Sequence, residues 1–140
     1  MLAIQAALGS GQALINGEGL DELRVVVADD SPLIRALVAD SFGYLKRVKI
    51  VGMAEDGVQA IKMVGELKPD IVVLDISMPH KSGLEVLKHI RREDSSVVIV
   101  MFTADTSMVL REACIEAGAN HYLEKWQVDK LLSICRGVAG

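Results

Sequence analysis

The sequence is poor in several features that would point it elsewhere. It has two cysteines, Cys114 and Cys135, and no C-x-x-C pair or Cys/His cluster. Both fall on apolar positions of predicted helices, so they read as buried reduced thiols acting as small hydrophobes, not as a disulfide or a metal site. No apolar run approaches the ~18 residues that a membrane helix needs. No basic residue precedes Arg24, so the start lacks the charged n-region of a secretory signal and the expected location is cytoplasmic. A net charge of −4 supplies no excess of positive charge for a general nucleic-acid surface. The three histidines, His80, His89 and His121, are not spaced for shared metal ligation and read as loop or solvated residues. His80 lies near the candidate site described below, where a minor docking role is the alternative.

The chain is rich in apolar content, 51% over 140 residues, which suits one domain with a real core. Residues 1–22 stand apart as an N-terminal extension. "GSGQALINGEG" is rich in Gly and small polar residues and reads as linker or loop, and "MLAIQAAL" before it suits one or two helical turns. The domain itself is expected over residues 23–140.

Within that span, short apolar runs alternate with segments of helical period. Strand-like runs are Arg24–Ala28, Lys49–Ala54, Ile71–Leu74, Val97–Phe102 and the short "NHYLE". Ser31-Pro32 begins a helix well, since Ser caps and Pro suits the first helical position; Leu33, Ile34, Leu37 and Val38 supply its expected apolar face. Gly57–Leu67 is the second helix, stopped by Lys68-Pro69, and Gly83–Arg92 is the third, with Arg91-Arg92 as its solvated end. The fourth covers Thr106–Gly118 with Val109, Leu110, Ala113, Cys114 and Ala117 on its apolar side. A fifth, "QVDKLLSICRGV", turns Val128, Leu131, Leu132 and Cys135 to one side. Five strands alternating with five helices imply an α/β fold, a doubly wound parallel sheet covered on both faces.

In open sheets of this kind, function sits just past the carboxyl ends of the strands. The residues there are Asp29 and Asp30, then Asp75, then Thr103 and Ala104, then Lys125. Three crowded carboxylates repel one another. A hard divalent cation relieves that repulsion, and oxygen donors of this kind suit Mg²⁺. A lysine adds a point charge for an anion. A carboxylate nucleophile, a cation, a hydroxyl and an ammonium together form a site for phosphoryl transfer. Any one of these residues alone reads as a surface ion pair; their joint placement at four strand ends argues for chemistry.

Four stretches, "VVVADDSPLIR", "IVVLDISMPHKSGLEVL", "VVIVMFTA" and "AGANHYLEKW", occur in this order within Arg24–Val138. In them the chain resembles the receiver domains of two-component response regulators. The resemblance implies the flavodoxin-like strand order 2-1-3-4-5 with helices on both faces. It implies Asp75 as phosphoacceptor, taking its phosphoryl group from a sensor histidine kinase or a histidine phosphotransfer protein. Asp30 and Asp75 would ligate Mg²⁺ directly, Asp29 through a bound water, and Ser77 through its backbone carbonyl. Lys125 would contact the phosphoryl oxygens, Thr103 would swing its hydroxyl to the phosphate, and Tyr122 would turn inward as Thr103 moves. Ala104 is small enough to let a donor approach. The surface of helix four, strand five and helix five would change and be read by an output protein or domain, or by a second copy in a phosphorylation-dependent homodimer. No membrane and no direct nucleic-acid contact by this chain is implied.

Some positions depart from the family pattern or invite a second reading. Lys125 is followed by Trp126 where proline is usual, often in a cis bond; either a cis bond survives without proline, at about 2.5–4 kcal/mol, or the loop takes a trans path. Trp126 either packs at the start of helix five or serves as an exposed anchor for a partner. Ser77 and Asp105 occupy positions that in the family tune hydrolysis of the acyl phosphate, although Asp105 reads more simply as the cap of helix four. Met78-Pro79 ends the strand run, and Gly83 relaxes the turn into helix three.

Two other function classes compete. A receiver-like module could signal by binding alone, without phosphorylation. An enzyme on the same architecture is disfavoured: an aspartate-nucleophile phosphatase wants a second acid two residues on, where Ser77 stands, and a flavin site wants a phosphate-cradling loop where "ADDSP" places two acids. The expectation is a chain that is no enzyme beyond its own phosphorylation and dephosphorylation. With no output segment after helix five, either a single-domain regulator or a fragment of a longer one is expected.

Overall fold

The structure, a computed structural model, describes residues 22–139. The reading of residues 1–21 as linker and short helix lies outside them. Five strands, β1 (Leu23–Ala28), β2 (Val48–Ala54), β3 (Ile71–Leu74), β4 (Val98–Thr103) and β5 (His121–Glu124), alternate with five helices, α1 (Pro32–Phe42), α2 (Gly57–Leu67), α3 (Gly83–Glu93), α4 (Met108–Glu116) and α5 (Val128–Ala139). All strands pair in parallel, in the order β2-β1-β3-β4-β5. This is the doubly wound arrangement that the alternation predicts.

Strand side chains alternate between two cores, as the pleat requires. Val26, Val72, Leu74, Ile99 and Met101 pack with Ala60, Val64, Val86, Leu87, Ile90 and Cys114 from α2, α3 and α4. Val25, Val27, Ile71, Val73, Val100 and Phe102 pack with Val38 and Phe42 of α1 and Leu131 and Cys135 of α5. Being covered on both sides, β1, β3 and β4 read as continuous apolar runs with no polar alternation. Each such side chain contributes about 1.5–3 kcal/mol by leaving water. Both cysteines are buried and free, and burial pushes the Cys135 thiol up to about 11.

Local signals fix the helix ends. Ser31 caps α1 by accepting from Ile34 N, with Pro32 in the first turn. Asp56 caps α2, whose end turns on Lys68 in the left-handed region (φ 47°) ahead of Pro69. Ser82 and Glu85 form a reciprocal capping box at the start of α3.

Three expectations about packing are corrected. On α1, Val38 and Phe42 are the buried residues, whereas Leu33 and Leu37 are 77% and 42% exposed. On α4, Cys114 is buried but Val109 faces solvent. In both cases single apolar residues flank the true core stripe, and periodicity alone does not separate the two sides. Arg91 is not simply solvated: its guanidinium donates to Gly118 O (2.8 Å), Asn120 Oδ1 (2.8 Å) and Asp94 O (3.2 Å), bracing α3 against the turn into β5.

Candidate functional site

Main-chain hydrogen bonds carry the sheet ladder one residue beyond three strands. Asp29 N donates to Ala54 O, Asp75 N to Ala28 O and Lys125 N to Thr103 O, each at 3.0 Å. The first residues after β1, β3 and β5 are thereby held on the sheet itself, not on free loops, and their side chains converge. Asp29, Asp75 and Thr103 are all buried, and among the described residues no Glu, Lys, Arg, His, Ser, Asn or Gln is buried with them. The deeply buried polarity of this domain is thus gathered at one edge.

Lys125 joins the two buried acids. Its Nζ lies 2.8 Å from Asp29 Oδ2 and 3.3 Å from Asp75 Oδ2. The other oxygen of each acid is held by main chain: Ser31 N donates to Asp29 Oδ1 (2.9 Å) and Ile76 N to Asp75 Oδ1 (2.8 Å). Burial pushes the Asp75 carboxyl above its ordinary value and the Asp29 charge adds to this, while Lys125 and the Thr103 hydroxyl pull it partly back. Burial works against the Lys125 ammonium, yet its hydrogen bond to Asp29 and the charges of Asp75 and Asp29 outweigh this and raise its pKa.

Asp30 completes the acidic group from an exposed position. One carboxylate oxygen from each of Asp29, Asp30 and Asp75 forms a set in which all lie within 4.8 Å of one another. Hard oxygen donors so spaced fit a divalent cation such as Mg²⁺.

The loop between β3 and α3 is shaped by two glycines. A Cβ on Gly83 would lie 2.0 Å from Asp75 O and 2.7 Å from Ile76 Cα, and Gly83 N donates to Ile76 O at 2.7 Å. Gly83 therefore does not merely relax a turn; it lets the start of α3 press against the backbone that carries Asp75. A Cβ on Gly57, at the start of α2, would lie 2.2 Å from Lys81 O in the same loop. Ser77 is exposed in this loop and Ala104 is exposed beyond β4.

Thr103, Asp105 and Tyr122 form a linked set beside the acids. Thr103 Oγ1 accepts from Asp105 N (3.2 Å), and Tyr122 donates its hydroxyl to Asp105 O (3.0 Å). Tyr122 is buried, pointing inward, and Arg111 of α4 lies over its ring at 5.7 Å. Burial holds the phenol up to about 12. Asp105 is not the helix cap: Ser107 caps α4, and Asp105 Oδ1 instead accepts from Ser107 N (2.7 Å) one step upstream. Trp126 is 76% exposed, with its indole N–H on Glu124 Oε1 at 2.8 Å, so it does not pack against α5. The Lys125–Trp126 bond is trans, as is every peptide bond among the described residues.

Asp29, Asp30, Asp75, Thr103 and Lys125 meet at the sheet edge, as their places at the strand ends lead one to expect, and Arg35 is a further residue there that no strand end marks. Its Nη1 donates to Asp29 O at 2.7 Å. The available signal was a cation in the first turn of a helix, where the macrodipole disfavours positive charge.

A doubly wound parallel sheet with an acidic pocket and a lysine at its carboxyl edge defines a class of α/β signalling domain. Within that class the chain belongs to the response regulator receiver domain family, whose model matches residues 25–136. It is 34% identical over 114 residues to a protein-glutamate methylesterase/protein-glutamine glutaminase 2 of Koribacter versatilis, covering 80% of this chain and 31% of that protein. It is 34% identical over 117 residues to response regulator MprA of a Mycobacterium species, covering 83% and 50%. The chain thus spans a third to a half of the length of these curated relatives. In structure it resembles the response regulator domain of Thermotoga maritima CheB, with a TM-score of 0.78 and 27% identity over 84% of this chain and 96% of that one. The Asp29–Asp30–Asp75 cluster fits the phosphorylation site of such a domain. No helix among the described residues is long and apolar enough to cross a membrane.

Proposed function

We propose that Asp75 accepts a phosphoryl group from a phosphohistidine on a sensor histidine kinase or a histidine phosphotransfer protein. The observation that carries this reading is the setting of Asp75: a carboxylate only 4% exposed, on a rigid strand end, 3.3 Å from an ammonium and clustered with two further acids. An Asp75 oxygen forms the new P–O bond as the P–N bond breaks; the electron pair of that bond returns to the donor ring nitrogen, and the ring leaves as neutral imidazole when its other nitrogen carries a proton. Asp29, Asp30, Asp75 and the Ser77 carbonyl would hold Mg²⁺, which supplies charge neutralisation for the phosphoryl oxygens when bound. Ala104 leaves the approach open. Leu33 and Leu37, exposed on α1, which begins two residues after Asp30, offer an apolar surface for the donor.

The phosphoryl group brings about −1.5 to −2 charge and three strong acceptors. Thr103 and Lys125 supply donors to them. Moving the Thr103 hydroxyl removes the acceptor of Asp105 N, and Asp105 O is what holds the Tyr122 hydroxyl. The phosphoryl group thereby biases Tyr122, α4, β5 and α5 between two packings. Met108 and Val109 on α4 and Trp126 after β5 are exposed, and they suit a surface read by an output protein or domain or by a second copy of the chain. A cytoplasmic location, an extension over residues 1–22 and a receiver domain over residues 23–140 belong to the same proposal.

The test is intact mass after incubation with Mg²⁺ and acetyl phosphate. A single phosphate adduct that is lost in Asp75→Asn is expected. No adduct, together with no response to beryllofluoride, overturns the reading.

A further inference from the structure

Asp29 has each of its polar groups engaged: its N–H on Ala54 O, one carboxylate oxygen on Ser31 N, the other on Lys125, and its carbonyl on Arg35. Asp30 is the opposite case. It is exposed, and among the described residues no hydrogen bond or ion pair holds its carboxylate. Its direction is set only by the backbone that carries it. That backbone is the Asp29–Asp30 peptide, whose carbonyl oxygen receives the Arg35 guanidinium at 2.7 Å. Arg35 is half-buried in the first turn of α1, where its charge opposes the helix dipole. The hydrogen bond to this carbonyl is the interaction that explains its place there.

We propose that Arg35 is a positioning residue for the divalent cation: by fixing the Asp29–Asp30 peptide plane it aims the otherwise unheld Asp30 carboxylate at the site shared with Asp29 and Asp75. This rests on the reading of that cluster as a Mg²⁺ site. The proposal separates geometry from charge. As a cation near three acids, Arg35 would weaken Mg²⁺ binding by repulsion; as a clamp on the ligand-bearing peptide, it strengthens binding. Outer groups that orient metal ligands typically change affinity by about 10–100-fold when lost.

The experiment is calorimetric titration of Mg²⁺ into the full chain, with circular dichroism at the titration temperature to establish that each variant is folded. Arg35→Met is expected to raise the Kd for Mg²⁺ about tenfold, toward the lower end of that range because Asp29 keeps its other three anchors. Arg35→Lys, which keeps the charge and one donor, should recover part of the loss. In an Asp30→Ala background, Arg35→Met should cause no further loss, since the residue it aims is gone. An unchanged or lower Kd in a folded Arg35→Met, or equal losses with and without Asp30, overturns the proposal. Failure of the wild-type chain to bind Mg²⁺ would instead remove the metal reading itself.

Discussion

Lys125 Nζ stands closer to Asp29, at 2.8 Å, than to Asp75, at 3.3 Å. The ammonium thus spans the acid that accompanies the site and the acid proposed to react. Without a metal it is the only cation that the described residues place in ion-pairing range of either carboxylate.

Removing that cation should expose the repulsion it masks. Lys125→Met leaves Asp29 and Asp75 buried together, a loss of about 2 kcal/mol for a charge-assisted contact, or roughly 6–10 °C in Tm for a domain of this size. Saturating Mg²⁺ should restore much of it, because the metal offsets the same repulsion and stabilises the state that binds it. Thermal melts with and without Mg²⁺ check this: the Mg²⁺-induced gain in Tm should be larger in Lys125→Met than in wild type.

Asp75 carries the opposite sign of effect. Its pKa in the folded protein is raised, first by burial and then by Asp29. Ionised Asp75 therefore costs stability at neutral pH. Its contribution becomes favourable as pH falls through the raised folded value, and it levels off below the ordinary carboxylate value. Asp75→Asn removes the cost and should raise the Tm of the metal-free protein at pH 7, while abolishing the phosphate adduct. The gain should shrink as pH is lowered toward the ordinary carboxylate value. Melts across pH of the two proteins measure it, and a less stable Asp75→Asn at pH 7 contradicts it.

The fold and most of the site were legible in the sequence for one physical reason. A parallel sheet buried on both faces writes itself as apolar runs, and the residues that end those runs are held by ladder hydrogen bonds at a single edge. Asp29, Asp75 and Lys125 follow directly from that. What stayed hidden depends on long-range approach. Arg35 acts on a main-chain carbonyl, Asp105 on a main-chain N–H, and Arg91 on Gly118 O and the Asn120 side chain; none of these contacts leaves a periodic trace. The exposure of Leu33 and Val109 is hidden for a similar reason, since helical period marks a stripe but not its edges.

Two glycines give opposite predictions. At Gly83 an added Cβ meets Asp75 O at 2.0 Å and Ile76 Cα at 2.7 Å, which are backbone atoms with nowhere to retreat. Gly83→Ala should cost about 3 kcal/mol or more, as overpacking of a tight contact does, and should displace Asp75. At Gly65, inside α2, a Cβ meets nothing within 4 Å. Gly65→Ala should stabilise by about 0.5–1 kcal/mol through helix propensity. Denaturant unfolding of both variants provides the comparison, and phosphorylation should fail only in the first.

Trp126 is the sole tryptophan and directly follows Lys125. At 76% exposure, with its indole N–H on Glu124, it contributes little to the folded state. Trp126→Ala should change stability by no more than about 0.5 kcal/mol, as surface substitutions generally do. Lys125 should keep its place as well, because its N–H is fixed to Thr103 O and its ammonium to Asp29. A large exposed aromatic that the fold does not need is better explained by contact with a partner. Acrylamide should quench its emission efficiently in the free protein and less so in a complex with the phosphodonor or output protein. Trp126→Ala should slow transfer from the protein donor while leaving the rate with acetyl phosphate unchanged. Equal slowing with both donors would place Trp126 in the chemistry at Lys125, not in docking.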